Sequence, residues 1–204
     1  MEQENEFLVV IDVQPAYQES IEQILYDIVE EINNTDKPII FFYVGKQMDC
    51  DNKEDVIGFL LENGVDEKKI DGIKFIEKDY GYLRAWMDCG IPHETIIKAV
   101  NYMKKNKIYD SRDFSDTDWS FIDNNYLSNE ILITEPIFYP DFNTKIFELK
   151  ELNNLQLIGG GRYECLLEID LFLKGIDKKT MINERLCYNR DDRKAKMHKK
   201  NKIK

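Results

Sequence analysis

Histidine is almost missing from this chain: only His93 and His198 occur, and neither falls near the end of an expected strand. A zinc or iron site built on histidines is therefore not expected, and no metal or other cofactor is implied. Cysteine is sparse as well. Cys50, Cys89, Cys165 and Cys187 lie far apart with no CxxC pair, which argues against both a zinc knuckle and a secreted disulfide framework. Long apolar runs are absent too, since FLVVI and IIFFYV have the length of strands rather than of membrane spans. The opening MEQENEF has no basic segment of the kind that starts an export signal. The expectation is a soluble, cytoplasmic protein with reduced thiols and no membrane partner.

Positive charge is scarce except at one end. The net charge is -11, yet residues 190–204 (RDDRKAKMHKKNKIK) hold 8 Lys/Arg and 2 Asp/Glu, leaving 20 against 37 in the remaining body, a balance of -17. Such a body repels phosphate backbones, so nucleic acid is not expected as a partner. The basic tail reads as a solvated, frayed terminus. Hydrophobic residues make up 43% and aromatics 12% of the 204 residues, enough for one sizeable core. One α/β domain over 1–189 is expected, followed by the tail.

The organisation follows from hydropathy. FLVVIDV (7–13) and KPIIFFYVG (37–45) are near-continuous apolar runs, the pattern of strands covered on both faces, and Ile21, Ile24, Leu25, Ile28 and Ile32 recur between them at helical spacing. That is the start of a parallel β-α-β unit with a right-handed crossover. The alternation lapses over about 46–128, which reads as a partly helical insertion containing a helix near Val56–Asn63, the aromatic stretch IKFIEKDYGYLRAWMD, a helix opened by Pro92 and the acidic loop DSRDFSDTD. It resumes with strands at 129–136, 154–160 and 178–186 and helices at 142–153 and 163–175. The expected architecture is a doubly wound, mostly parallel sheet of five or six strands with helices on both faces. Ligands in such sheets bind beyond the carboxyl ends of the strands, where Asp12, Gln14, Glu135 and Cys165 fall.

Cys165 follows three glycines and lies about one turn into the helix expected at 163–175, and so gains some of the partial positive charge that favours a thiolate. Taken alone, Asp12 is as well explained by a strand-end cap, Cys165 by a core thiol and Glu135 by an exposed strand end.

Two stretches together carry a resemblance. VVIDVQPAY, with Asp12 and Gln14 two apart, resembles the first-strand motif of the isochorismatase-like cysteine hydrolases. GGGRYECLLEIDLFLKGI, with Gly159 six positions before Cys165, resembles their strand-turn-helix around the nucleophile. The resemblance covers 5–45 and 128–188. It implies a Rossmann-like isochorismatase fold, an Asp-Lys-Cys triad attacking a small amide or carbamoyl carbonyl, and assembly into a dimer or larger homo-oligomer. It names Cys165 as nucleophile and Asp12 as base, with Gln14, Gly160, Gly161, Arg162, Tyr139 and Phe142 at the substrate.

The chain departs from the family where the lysine should end the strand before the cysteine strand, ahead of an aromatic turn. In ITEPIFYPDFNT that place falls on Glu135 or Pro136. A carboxylate there would raise the Cys165 pKa, or else serve as an acid/base group with a raised pKa of its own. A replacement cation could come from Lys74, Lys78 or Arg162. The alternative is an inactive protein of the same fold that binds a ligand or a partner.

Overall fold

The computed structural model describes residues 6–45, 51–78, 83–115, 117–121, 135–139 and 152–189. Five parallel strands form one sheet: β1 (Glu6–Ile11), β2 (Ile39–Val44), β3 (Lys74–Lys78), β4 (Asn154–Gly159) and β5 (Lys179–Ile182), in the order β3-β2-β1-β4-β5. The order reverses at β1, where the chain has wound outward first to one side and then to the other. With helices on both faces, this is the expected doubly wound α/β fold.

Alternation along the central strands sorts the core into two layers. Val9 and Ile11 of β1 join Ile40 and Phe42 of β2 on one face, and Leu8 and Val10 join Ile39, Phe41 and Tyr43 on the other. The first layer is covered by α6 (His93–Asn106) and α7 (Cys165–Gly175), the second by α2 (Leu25–Asn34) and α3 (Lys53–Glu62), which follow the short α1 (Gln18–Ile21) and precede α4 (Glu67–Ile70). Helix α7 is apolar nearly all round because it lies deep in the first layer. Leu166, Ile169, Phe172 and Leu173 are fully buried, each worth roughly 1.5–3 kcal/mol of transfer free energy.

Part of the stretch expected to be an insertion joins the sheet. Helices α3 and α4 form the crossover from β2 to β3, and KFIEK is the edge strand β3, in register with β2 from Ile40↔Lys74 to Val44↔Lys78. With Lys74, Glu77 and Lys78 among its five residues it lacks the continuous apolar run of β1 or β2, and among the described residues β2 is its only strand neighbour. Beyond it, α5 (Arg84–Asp88) buries Trp86 in the first layer, and α6 packs beside α7. The strand expected at 129–136 and the helix expected at 142–153 lie outside the described residues apart from Glu135, Pro136, Leu152 and Asn153, and so do Phe142, Cys50 and the tail. Among the described residues no helix is long and apolar enough to cross a membrane.

Candidate active site

Strands β1 and β4 are neighbours, and their pairing ends at Ile11↔Gly159. The next residues on each strand must therefore meet beyond the carboxyl edge of the sheet. Asp12 leaves β1 with φ 52°, a left-handed conformation that aspartate tolerates better than most residues. Its N–H still extends the ladder, donating to Phe42 O at 2.9 Å. Backbone strain of this kind gathers at functional sites. On the other strand, Gly159 has φ 81°, and a Cβ on it would stand 2.5 Å from Ile11 O, so only glycine fits so close to β1. Gly160, at φ 51°, continues the turn, and its own missing Cβ leaves room for the Cys165 Sγ. Among the described residues the chain turns here with no cis peptide bond.

The cation comes from β3. Lys78 ends that strand, and its Nζ reaches past β2 to stand 3.1 Å from Asp12 Oδ2, both side chains being almost wholly buried. Nζ and both Asp12 oxygens are fully enclosed, and the angles between them are not those of a hydrogen bond. Three polar atoms are thus left with unused hydrogen-bonding capacity inside the protein, an arrangement that native cores avoid unless a site requires it. Burial alone would pull the Lys78 pKa down, but the charges of Asp12, Cys165 and Glu168 outweigh it and the value lies above that of an ordinary lysine. The ammonium is permanent at neutral pH.

Cys165 is the first residue of α7, and its Sγ accepts the N–H of Gly161 at 3.0 Å. That contact and Lys78 favour the thiolate. Two effects oppose them more strongly. Although Cys165 keeps part of its surface open, crowding by protein atoms and the adjacent Asp12 carboxylate push the thiol up to about 12. At rest Cys165 is a neutral thiol with a carboxylate beside it.

A fourth group completes the cluster. Glu168, one turn after Cys165 on the same face of α7, is buried and accepts the Leu83 N–H at 2.6 Å. Burial raises its pKa, while the Leu83 N–H and Lys78 oppose the rise. The residues singled out in the sequence thus divide. Asp12, Gly160, Gly161 and Cys165 meet at one point. Gln14 is fully buried and braces the scaffold: its amide takes the Val44 N–H at 2.8 Å and donates to Val44 O at 3.0 Å and Asp51 Oδ2 at 2.8 Å.

Glu135 is exposed and its carbonyl accepts the Trp86 indole N–H, while the cation beside Asp12 is Lys78. Arg162 turns outward to Glu184 and the Tyr163 ring and supplies no charge to the cluster. Lys74 sits at the far end of β3. Tyr139 packs on Phe172 and Tyr109 in the apolar layer. Of the three candidate cations named from the sequence, Lys78 is the one beside Asp12. Glu168 was missed, although it stands out in the sequence as a lone acid in the apolar run CLLEI.

The Cys165 N–H, at the start of α7, has no protein acceptor among the described residues, whereas the Glu164 N–H is taken by Gly161 O at 3.0 Å. Among the described residues no three His, Cys, Asp or Glu side chains gather closely enough to hold a metal ion. A cleft of about 230 Å³ lined by Glu6, Leu155, Lys179 and Met181 lies at the opposite, amino-terminal edge of the sheet, away from these groups.

No family model matches the chain, and neither does any curated protein or solved structure.

Proposed function

We propose that this protein is an isochorismatase-like cysteine hydrolase acting on a small amide or a related molecule. The observation that carries the reading is the buried Asp12–Lys78 pair, 3.1 Å apart, beside a cysteine at a helix N-terminus. Its three members are the residue types of the triad that the sequence resemblance implies. Structural ion pairs are usually exposed or fully hydrogen-bonded; this one is neither.

In this reading Asp12 takes the Cys165 proton as Sγ attacks the carbonyl carbon, giving a tetrahedral adduct whose oxyanion is met by the Cys165 N–H and the α7 dipole. Asp12 then returns the proton to the departing amine, leaving a thioester. Water, deprotonated by the same carboxylate, cleaves the thioester and restores the thiol. Lys78 holds the Asp12 carboxylate in place and offsets the negative charge that develops on sulfur. Because the resting thiol is neutral, the proton moves only as the bond forms.

The raised thiol is also the observation that favours a second reading, in which the same cluster binds a ligand without cleaving it. Incubating the protein with a panel of small primary amides and carbamoyl compounds, then following ammonia and the mass of the Cys165 peptide after acid quench, separates the two. Ammonia release with a transient acyl mass on Cys165 supports the hydrolase. Saturable binding with neither signal supports the binding protein. A cytoplasmic location and assembly into a homo-oligomer form part of the same proposal.

A further inference from the structure

The cluster is built with an unbalanced charge. Asp12 and Glu168 face a single ammonium, Lys78, and all three are at least nine-tenths buried. The Arg84 guanidinium also acts on Glu168, but it is shared with two further carboxylates, Asp88 at 3.0 Å and Glu164 at 3.7 Å. Arg162 pairs with Glu184 on the outside. Both Asp12 oxygens have no aligned hydrogen-bond donor, and Glu168 accepts the Leu83 N–H through one oxygen. Acceptors outnumber donors at this edge of the sheet. An uncompensated buried charge is expensive unless something arrives to pair with it.

We propose that the substrate of this site carries a positive charge, as an ammonium, amidinium or guanidinium group close to the scissile carbonyl, and that Glu168 is the residue that selects it. The inference rests on reading this cluster as the substrate site. The cation donates to the carboxylate oxygens and brings the enclosed charges to balance. It also sets a positive charge beside the sulfur, so that arrival of the correct ligand helps the thiol give up its proton. An anionic analogue meets two carboxylates and is rejected, and a neutral one leaves the acceptors unpaired.

Charged thiol reagents test this without any assumption about turnover. Trimethylammonioethyl, methyl and sulfonatoethyl methanethiosulfonates carry positive, no and negative charge, and each transfers its thioalkyl group to the cysteine sulfur with release of methanesulfinate. Rates at Cys165, mapped by peptide mass and divided by the rate of the same reagent with free β-mercaptoethanol, are expected to fall from cation to anion by tenfold or more. In Glu168→Gln, which keeps an acceptor for the Leu83 N–H, the ratio is expected to drop at least threefold. Should that variant not fold, the wild-type ratio decides. A ratio near one, a ratio unchanged in a folded Glu168→Gln, or a Cys165 that none of the three reagents reaches overturns the inference. A clear preference for the cation in a protein that hydrolyses no amide would leave the inference standing and remove the hydrolase reading.

Discussion

Replacing Lys78 by methionine keeps most of the side chain's volume and removes only its charge. The Asp12 carboxylate, 2% exposed in its side chain, then has lost its counter-ion. Removing one partner of such a pair costs about 3–5 kcal/mol, a large share of the roughly 5–15 kcal/mol that keeps a domain folded. At a urea slope of about 2 kcal/mol per molar the midpoint should fall by around 2 M. The companion variant Asp12→Asn/Lys78→Met removes both charges and should recover more than half of that loss, because a neutral amide is far cheaper to enclose than a lone carboxylate. The assay is equilibrium urea unfolding followed by far-UV circular dichroism, for the wild type, both single variants and the double variant. A loss below about 1 kcal/mol in Lys78→Met, a range typical of solvated pairs, would refute the burial argument. So would a double variant less stable than either single.

Other consequences are as specific. Gly159→Ala places a methyl 2.5 Å from Ile11 O at φ 81° and should destabilise by about 2 kcal/mol or more. Gly58→Ala, in α3 with nothing within 4 Å, should stabilise by about 0.5–1 kcal/mol; thermal melts compare the two directly. Gln14→Leu strands the Val44 N–H and carbonyl, and a loss of about 1–3 kcal/mol in urea midpoints is expected. Cys165, held up to about 12 by burial and by Asp12 against an ordinary 9.0, keeps a proton that the unfolded chain gives up. Its contribution to stability is complete below pH 9 and is lost between pH 9 and about 12. Unfolding midpoints should therefore fall steadily above pH 9, less steeply in Cys165→Ala, and in the free protein at pH 8 iodoacetamide should label the exposed Cys89 faster than Cys165.

What could be read in advance follows where the physics is local. β1, β2 and β4 announce themselves because a strand covered on both faces must be apolar at nearly every position, and α7 because a helix sunk in the core is apolar all round. Their pairing was implied by chain order, and it places Asp12 beside the glycine turn. β3 was not legible in the same way. As an edge strand it carries Lys74, Glu77 and Lys78 among its five residues, so KFIEK reads as surface. Lysine is almost never buried unless paired, and the pairing partner lies 66 positions earlier in the chain, at a distance set only by the strand order. The same holds for Gln14, whose polarity suggested a ligand contact until β2 supplied Val44 as its partner. Local composition reveals elements; it does not reveal which charge will stand opposite which.

The central claim is that Asp12, Lys78 and Cys165 act as one hydrolytic unit, and the kinetics of any amide found to be turned over test it most directly. Cys165→Ser, Asp12→Asn and Lys78→Met, each shown to be folded, should lose on the order of 10³-fold or more in kcat/KM, with Asp12→Asn/Cys165→Ser little worse than Cys165→Ser alone. Full activity in folded Cys165→Ser, or in folded Lys78→Met, would contradict the account.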